Sequence, residues 1–359
     1  MGTVRLKREL SAKYKTETVG EPAPPPAAQA TKIPAAMTTP YQALHSSQSH
    51  FWRIRGLPYH VRTWGEPGPT QVPWVMLHGW MDVAASYQFL VDALDPLPFV
   101  LAPDWRGFGL SASPTQDHFT FPDYLSDLEG LLDHCQALYG HQVFNLIGHS
   151  MGGNVATLYA GLRPLRIHKL VNLEGFGLPP SSANMAPERL RRFMNEVKQL
   201  HQGELALKTY DSAQAVAERL IKTNPRLALD KALWLAQHWA QPNASGQWQI
   251  LGSAAHKVVS AHLYQVDEVL AVMACIQAPT LSVHAQAHDL HARWGKTYTF
   301  EDYRARMSVI PDLAHLEIED ASHMLHHDQP RVLAQALTAF LSDADHLPHR
   351  PTQSAASSA

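Results

Sequence analysis

The chain has 359 residues, of which 45% are hydrophobic and 17% are charged, and its formal net charge is −3. This is the composition of an ordinary globular protein with enough apolar residues for a substantial core. The near-neutral charge offers no electrostatic attraction for nucleic acid or for an anionic membrane, so neither is expected as a partner. No apolar run in the sequence is long enough to span a bilayer, and no membrane span is predicted.

The two cysteines, Cys135 and Cys275, are far apart and in no metal-binding or redox spacing. Both are expected to be free thiols that pack within the fold, in a reducing compartment. The first ten residues, MGTVRLKREL, contain charges, but the hydrophobic segment of a secretory signal does not follow them. Leu6 stands where a myristoylation signal that begins at Gly2 needs serine or threonine. A cytoplasmic location is therefore predicted.

The two ends of the chain differ in composition from the rest. Residues 1–40 include the tract EPAPPPAAQATKIPAAMTTP, which is rich in proline and alanine and has no periodicity. Such a segment buries too little apolar surface to offset the cost of ordering, so we expect a disordered tail. Met37 could be the true start, because every recognisable motif follows it. Residues 346–359 are expected to form a second disordered tail.

Between the tails, short apolar strands alternate with helical stretches. Residues 51–65 are predicted to form a hairpin, because two alternating runs flank Gly56, Leu57 and Pro58. Further apolar runs without strict alternation are typical of central strands that are buried on both faces, and they cover residues 72–79, 98–107, 142–150, 167–175 and 278–286. Helical patterns separate them at residues 84–94, 121–139 and 151–162. This order predicts an α/β fold, with a mostly parallel sheet and helices on both faces.

The alternation of strands and helices stops between residues 178 and 272. Four helical patterns occur there, in ERLRRFMNEVKQL, AQAVAERLIKT, LALDKALWLAQHWA and VDEVLAVMACI, and no convincing strand lies between them. We therefore predict a helical cap over 178–272, inserted into a core formed by 41–177 and 273–345. Such an element shapes the substrate pocket and screens it from water.

Several aromatic residues of the predicted cap could line an apolar pocket, namely Trp234, Trp239, Trp248 and Phe193. A pocket of this kind would favour a hydrophobic or aromatic acyl group, although packing within the cap explains each of these residues without a substrate. Arg106, in the segment DWRGFG, is expected to pair with an internal carboxylate, and binding of a substrate anion is the alternative.

The strongest motif surrounds Ser150. The segment Gly148-His149-Ser150-Met151-Gly152 fits the pattern G-x-S-x-G, with the strand-like VFNLI before it and the helical MGGNVATLYAGL starting within it. This strand–turn–helix context is typical of a nucleophile elbow. A turn this sharp brings backbone segments too close for a Cβ atom, which explains the two glycines. Ser150 would then be exposed on strained backbone at the positive end of a helix, whereas an ordinary glycine turn is the alternative.

A serine nucleophile needs a base within hydrogen-bond reach. The chain has 22 histidines, so position must select among them. His323 follows the last predicted strand in EIEDASHMLHHDQP, which places it at the carboxyl edge of the sheet, where the Ser150 elbow is also expected. His323 is therefore the predicted base, and a surface or core histidine is the alternative. His326 and His327 come closer to the next helix, where capping or surface roles are expected.

The base needs an acid that fixes its tautomer and stabilises its charged form. Asp289 lies just beyond the strand predicted from PTLSV, and the chain order Ser150, Asp289, His323 is the one expected of this triad class. Glu174 ends the strand predicted from KLVNL at the same edge and is the alternative acid. Asp312 is a weaker third candidate. We prefer Asp289, and a helix-cap or turn carboxylate is the structural alternative for each.

Acyl transfer also needs donors for the developing oxyanion. The backbone amide of Met151, directly after the nucleophile, is one candidate. The amide of Trp80, in the loop that follows VMLHG, is the other. Backbone donors do not depend on side-chain identity, so both side chains are free to line a pocket or to pack in the core.

These motifs together resemble those of the α/β-hydrolase fold superfamily, over residues 50–345. The resemblance rests on HGW after the third strand, DWRGFGLS after the fourth, GHSMGG at the elbow, and SHMLHHDQP, where His323, Asp328 and Pro330 keep the family's spacing. The chain resembles in particular the capped, esterase-like members, including the serine hydrolase-like proteins, which have a similar HGW-x-D stretch. The resemblance implies an eight-stranded, mostly parallel sheet, a helical cap, the triad described above, no metal and no organic cofactor.

Two features depart from related patterns, one in the loop of the predicted acid and one at the nucleophile position. Ala285 takes the place of the glycine that usually follows the strand before the acid, and His288 stands beside Asp289. Ser150 occupies the position where dehalogenase-like and epoxide-hydrolase-like relatives have aspartate. Their chemistry requires a carboxylate ester intermediate, so it is not expected here.

The leading hypothesis is a serine hydrolase that cleaves a carboxylic ester or related acyl substrate, and the expected substrate is a small molecule with an apolar portion. Hydrolysis of a carbon–carbon bond, amide, lactone or thioester on the same triad stays open, as does a non-catalytic ligand-binding protein of this fold. Metal-dependent chemistry is disfavoured. His284, His288 and His291 have helical spacing, but His284 belongs to a predicted strand, so the three do not share one helix face. The oligomeric state is left open.

Overall fold

The structure is a computed structural model that describes residues 39–111, 113 and 115–342. The tail predicted over residues 1–40 lies outside the described residues except for its last two positions. The tail predicted over 346–359 lies wholly outside them. Among the helices within these ranges, none combines the length and the apolar character needed to cross a membrane.

The described residues form eleven strands, which are β1 (Gln48–Ile54), β2 (Leu57–Trp64), β3 (Trp74–Leu77), β4 (Val100–Pro103), β5 (Phe144–His149), β6 (Ile167–Leu173), β7 (Thr209–Tyr210), β8 (Ala240–Pro242), β9 (Trp248–Ile250), β10 (Thr280–Ala287) and β11 (Leu313–Ser322). Eight of these described strands build the main sheet, in the order β1-β2-β4-β3-β5-β6-β10-β11. The pairs β1–β2 and β2–β4 are antiparallel and the other pairs of this sheet are parallel. The predicted α/β fold with a mostly parallel sheet is confirmed.

The predicted hairpin is present as β1 and β2, but its turn is shorter than predicted and begins one residue earlier. Ile54 pairs with Leu57, so the loop consists of Arg55 and Gly56. Both loop residues have positive φ, 47° and 83°. Two positive-φ residues are the geometry that matches the right-handed twist of the flanking strands. Pro58 therefore belongs to β2.

Helices fill the connections between strands. Within the described residues they are α1 (Gln88–Val91), α2 (Phe121–Tyr139), α3 (Met151–Leu162), α4 (Ala186–His201), α5 (Ala213–Thr223), α6 (Leu229–Trp239), α7 (Val266–Met273), α8 (Leu290–Trp294), α9 (Phe300–Met307), α10 (Leu325–Asp328) and α11 (Pro330–Leu341). The bounds of α2 and α3 are those predicted. α2 begins with a capping box between Thr120 and Asp123, and it ends at Gly140 with φ of 80°. The helix predicted over 84–94 is shorter, because a 3-10 turn over Ala84–Tyr87 precedes α1.

Apolar side chains cover both faces of the main sheet. On one face, Leu128 and Leu132 of α2 and Tyr159 of α3 join a buried cluster with the sheet. On the other face, Leu90 of α1 and Leu337 of α11 belong to a second cluster. Burial on both faces explains why the central strands lack sequence alternation.

The two cysteines differ in environment. Cys135 is buried and belongs to the first cluster, as predicted. Cys275 is exposed, so the prediction that it packs within the fold is wrong. Cys275 lies in the turn after α7, where it is exposed to solvent.

The segment predicted as a helical cap, residues 178–272, contains α4 to α7 and also a small antiparallel sheet. The strands of this sheet are β7, β9 and β8, in that order. The expectation that no strand lies in this segment is therefore wrong, because these strands have only two or three residues each and leave no periodic pattern. Val269 and Leu270 of α7 pack against the first core cluster, so the last helix of the segment lies on the main core.

The other helices of this segment pack around a third apolar cluster. Leu220 of α5 and Leu235 of α6 meet Val83 and Phe89, which lie between β3 and β4. Three of the four aromatic residues singled out from the sequence, Trp234, Trp239 and Trp248, pack against this cluster. Packing against this cluster accounts for these three tryptophans without a substrate.

Backbone hydrogen bonds attach the segment to the loop that follows β4. The amide of Gly109 donates to the carbonyl of Leu251 at 3.0 Å, and the amide of Ser253 donates to the carbonyl of Gly107 at 2.8 Å. His256 of the segment is buried and stacks between Phe108 and Phe119, with ring centroids 3.6 and 4.0 Å away. The segment is therefore held against the carboxyl end of the main sheet.

Candidate active site

Ser150 lies in a strained turn between β5 and α3. Its φ of 51° and ψ of −115° are sparsely populated by residues other than glycine. The flanking glycines are required by close approach of the backbone. A Cβ at Gly148 would lie 2.3 Å from the carbonyl oxygen of Gly152, and one at Gly152 would lie 2.1 Å from the carbonyl oxygen of Leu77. The geometry is that of a nucleophile elbow, which presents the serine hydroxyl at the start of a helix.

His323 follows the carboxyl end of β11 and reaches Ser150. Its Nε2 lies 3.1 Å from Ser150 Oγ, which is hydrogen-bond distance. Asp328 holds the turn that carries His323, because its Oδ2 accepts the amide of Ser322 at 2.8 Å and the hydroxyl of Ser322 at 2.7 Å. The spacing between His323 and Asp328 noted in the sequence thus has a structural role.

Glu174 makes the shortest carboxylate contact with His323. Its Oε2 lies 3.2 Å from His323 Nδ1, and its side chain is fully buried. The other oxygen, Oε1, accepts the amide of Ala285 at 2.7 Å, which fixes the carboxylate in place. Like Ser150, Glu174 has a positive φ, 59°, directly after β6. Two strained residues thus flank His323.

Asp289, the acid preferred from the sequence, also faces His323 but at a longer distance. Its Oδ1 lies 3.8 Å from His323 Nδ1, and its Oδ2 pairs with Arg293 Nε at 2.6 Å. The side chain is 32% exposed. The structure therefore brings both candidate carboxylates to the base, with Glu174 closer. Asp312 directly precedes β11, at the opposite edge of the sheet from His323.

The surroundings of His323 favour a neutral imidazole. Burial, followed by the neighbouring His149 ring and the Arg293 charge, holds the pKa of His323 well below its ordinary value. Burial has the opposite effect on Glu174, whose pKa is raised, and the Ala285 amide counteracts this effect. A neutral imidazole can accept the proton of a serine hydroxyl, which is the property a general base requires.

The loop that follows β3 borders Ser150. A Cβ at Gly79 would lie 3.2 Å from the Cβ of Ser150, so this loop passes directly beside the serine. Trp80 comes next in the loop, and Met151 is the first residue of α3, where amide groups have no partner within the helix. Both amides predicted as oxyanion donors thus belong to residues adjacent to this contact. Trp80 exposes 54% of its surface, and its indole donates to the carbonyl of His256 at 3.3 Å.

Three histidines near the site were missed or misassigned from the sequence. His149 is buried, and its Nε2 donates to the carbonyl of His323 at 2.7 Å, which ties the elbow to the loop of the base. His326 and His327 are also buried, so the expectation of capping or surface roles is wrong for both. The rings of Tyr87 and Phe89 lie against them. Sequence spacing gave no signal of this burial.

Arg106 has the internal role that the sequence favoured. Its guanidinium contacts both carboxylate oxygens of Asp127, a residue of α2 whose side chain is fully buried. Tyr59 also donates to Asp127, at 2.8 Å. The pair joins the loop after β4 to helix α2 in the interior, in the bidentate geometry typical of arginine and carboxylate. Phe193, the remaining aromatic residue of the predicted cap, makes an edge-on contact with His118.

Comparisons with known proteins agree with this architecture. A family model described as the alpha/beta hydrolase fold matches residues 73–330. A serine hydrolase-like protein of Danio rerio is 26% identical over 292 residues, which cover 77% of this chain and 86% of the relative. A serine hydrolase-like protein of Dictyostelium discoideum is 24% identical and covers 83% of this chain and 82% of its own length.

Among solved structures, the thioesterase domain from the curacin biosynthetic pathway superposes with a TM-score of 0.68 at 22% identity, over 81% of this chain and 99% of that domain. Likeness at this identity shows a shared fold. The sequence relatives, which are named as serine hydrolase-like proteins, support a hydrolase activity. Because the family model covers most of its length, the chain belongs to the α/β-hydrolase fold family.

Proposed function

We propose that the protein is a serine hydrolase that cleaves a carboxylic ester or a related acyl substrate through an acyl-enzyme on Ser150. One observation carries the proposal. The His323 ring joins the serine hydroxyl, at 3.1 Å, to a buried carboxylate on its other side, at 3.2 Å. A nucleophile, a base and an acid in contact, with the nucleophile on an elbow, form the arrangement used for acyl transfer.

The first half of the reaction uses the neutral imidazole. His323 Nε2 takes the proton of Ser150 Oγ while the oxygen attacks the substrate carbonyl carbon. The carbonyl oxygen gains negative charge, which the amides of Met151 and Trp80 stabilise by hydrogen bonds. The imidazolium then returns its proton to the leaving alcohol, and the bond between carbonyl carbon and leaving oxygen breaks. The products of this half are the alcohol and an ester of Ser150.

Water completes the cycle in the same geometry. His323 Nε2 accepts a proton from water as the water oxygen attacks the acyl-enzyme carbonyl. The same two amides hold the second oxyanion. Collapse releases the carboxylic acid, and the proton on His323 returns to Ser150 Oγ. At the end of the cycle the acyl group has left Ser150, and both Ser150 and His323 are in their starting protonation states.

We assign the role of the orienting acid to Glu174, and a secondary electrostatic role to Asp289. Glu174 is supported by its shorter contact, its burial and the Ala285 amide that fixes it. Asp289 divides its charge between His323 and Arg293 and is partly exposed to water. A carboxylate that is screened and shared stabilises the imidazolium less than a buried one.

We further propose that residues 178–272 serve as a cap over this site and that the substrate has an apolar portion. The contact between the Trp80 indole and the carbonyl of His256 joins the predicted oxyanion loop to this segment. The exposed face of Trp80 provides an apolar surface beside the nucleophile. The proposal also includes a cytoplasmic location for the protein.

The test is the rate of hydrolysis of p-nitrophenyl esters with acyl chains of increasing length. We expect Ser150→Ala to lower kcat by about 10³-fold or more, which is the loss typical of a removed nucleophile. Ser126→Ala is the matched control, since Ser126 is exposed on α2 and its hydroxyl bonds only a carbonyl of its own helix. Equal rates in the two variants would contradict the proposal and would favour a ligand-binding protein of this fold. The chain-length profile reports on the apolar portion of the substrate.

A further inference from the structure

A buried cluster of three side chains lies beside the candidate active site and has no part in the proposed chemistry. It consists of Asp82 from the loop after β3, His149 from the end of β5, and His326 from α10. One ligand-type atom of each residue lies within 4.8 Å of the corresponding atoms of the other two. All three residues are buried, with exposed fractions of 4%, 2% and 0%.

Each residue of this cluster has at least one buried side-chain atom without a hydrogen-bond partner. Asp82 Oδ2, His149 Nδ1 and both ring nitrogens of His326 are buried and unpaired. Buried polar atoms are nearly always paired, so a cluster of three neighbouring residues that each leave an atom unpaired calls for a shared partner. The unpaired atoms are not hydrogen-bonded to one another, and one ion could be bound by one ligand-type atom from each of the three residues.

The remaining atoms of the cluster are held in place by the protein. Because His149 Nε2 donates to the carbonyl of His323, its Nδ1 carries the lone pair. Asp82 Oδ1 accepts the amide of Val83 at 2.9 Å and the indole of Trp239 at 3.1 Å, which leaves Oδ2 directed elsewhere. A histidine that donates one nitrogen to a carbonyl and offers the other is the usual arrangement of a metal ligand.

The ligand types point to a divalent transition metal ion. Two imidazole nitrogens and one carboxylate oxygen form a set that binds Zn²⁺, and related ions such as Co²⁺ accept the same ligands. Gly79 passes close to this cluster, because a Cβ there would lie 3.1 Å from His149 Nδ1.

We propose that Asp82, His149 and His326 form a binding site for one divalent transition metal ion, with Zn²⁺ as the expected occupant. The ion would connect the loop after β3, the residue before Ser150 and the helix that follows His323. It would therefore fix the positions of the nucleophile and the base relative to each other. The ion does not contact the reacting atoms in this role, so the proposal stands independently of the proposed hydrolysis.

A second set of candidate ligands lies nearby and is distinguished by its hydrogen bonds. Glu174, Asp289 and His323 also bring one atom each within 4.8 Å. There, however, both ring nitrogens of His323 are engaged, one with Ser150 and one with Glu174. Asp289 Oδ1 is also unpaired, but His323 has no free ring nitrogen to coordinate an ion. The set of Asp82, His149 and His326 is therefore the one assigned to the metal, and Asp289→Asn separates the two sets experimentally.

The experiment measures metal binding rather than activity. The full-length protein is stripped with a chelator, loaded with Zn²⁺ or Co²⁺, desalted and analysed by mass spectrometry of its metal content. We expect about one ion per chain, visible absorption of Co²⁺ typical of a four-coordinate site, and a higher Tm in the presence of Zn²⁺. His326→Gln and Asp82→Asn should each weaken binding by about tenfold or more, because even removal of a supporting group around a ligand has that effect.

Three control variants should retain the ion, namely His315→Gln, Asp289→Asn and Ser150→Ala. His315 is an exposed histidine of β11, so its loss tests binding by surface histidines. Retention in Ser150→Ala would show binding without catalysis. The proposal is overturned if the wild type binds no Zn²⁺ and its Tm does not change, or if His326→Gln and Asp82→Asn bind as the wild type does. Should either variant fail to fold, the wild-type stoichiometry, Co²⁺ spectrum and Tm still decide the question.

Discussion

Replacement of Glu174 by glutamine tests which carboxylate orients His323. The glutamine keeps the size of the side chain, and its carbonyl can still accept the Ala285 amide. Its amide nitrogen would then face His323 Nδ1, which now lies 3.2 Å from a carboxylate oxygen. Because that nitrogen is a donor, Nδ1 must accept, and the ring proton moves to Nε2. A protonated Nε2 cannot take the proton of Ser150.

The expected loss follows from this change of tautomer. An acid-to-amide change in a serine triad lowers kcat by about 10⁴-fold, which corresponds to about 5 kcal/mol of transition-state stabilisation. Asp289 lies 3.8 Å from the same nitrogen. At that separation two unit charges interact by about 1–4 kcal/mol for effective dielectric constants between 80 and 20. Partial exposure and the Arg293 partner favour the lower end, so Asp289→Asn should lower kcat only about fivefold.

The assay is the rate of p-nitrophenyl acetate hydrolysis, with Tm measured in parallel to confirm that both variants fold. Asp289→Asn is the matched control, since it makes the same chemical change on the other carboxylate. A larger loss in Asp289→Asn than in Glu174→Gln would refute the assignment of Glu174. That result would instead support Asp289, the acid that the chain order predicts.

Three further predictions concern stability. Gly152→Ala should lower the free energy of unfolding by about 1–3 kcal/mol and reduce activity, because its Cβ would lie 2.1 Å from the last carbonyl oxygen of β3. Asp127→Ala should cost about 3–5 kcal/mol in urea unfolding, since Arg106 would remain buried without its partner. For Asp104, burial alone would raise the pKa, but the hydrogen bond and charge of His60 hold it below the ordinary 3.8. The folded state thus binds fewer protons than the unfolded state, and stability should fall as the pH drops below about 4, less so in Asp104→Asn.

Each of these predictions has a control on the same chain. Gly68→Ala should change stability little, because the nearest atom to its Cβ lies at an ordinary 3.7 Å. Asp133→Ala removes an exposed ion pair of the same helix as Asp127 and should cost less than about 1 kcal/mol. Equal losses in Asp127→Ala and Asp133→Ala would contradict the account of the buried pair. A stability curve of Asp104→Asn that matches the wild type below pH 4 would contradict the account of Asp104.

The elements of the main sheet and its long helices could be predicted because local signals agree with tertiary burial. In α2, the capping box at Thr120 and the positive-φ Gly140 mark the two ends, and buried leucines follow the helical period between them. The strands β7, β8 and β9 could not be predicted. They have two or three residues each and are held by pairing with one another, which no local pattern reports.

The candidate site also contains some residues that could be predicted from the sequence and some features that could not. Ser150 and His323 could be found because both follow strands whose carboxyl ends meet at one edge of the sheet. The choice between Glu174 and Asp289 depends on side-chain reach and on the positive φ of Glu174, neither of which the sequence displays. The burial of His326 was missed because it depends on contact with the ring of Tyr87, which lies in the 3-10 turn before α1, far away in the chain.

The central claim is that Ser150 is an activated nucleophile, and covalent labelling tests it most directly. Purified protein is treated with a fluorophosphonate probe, and the modified residue is located by mass spectrometry of peptides. The account predicts one adduct, on Ser150, that is absent in Ser150→Ala and strongly slowed in Glu174→Gln. A folded wild type that gains no adduct, or gains it equally in Ser150→Ala, would contradict the claim.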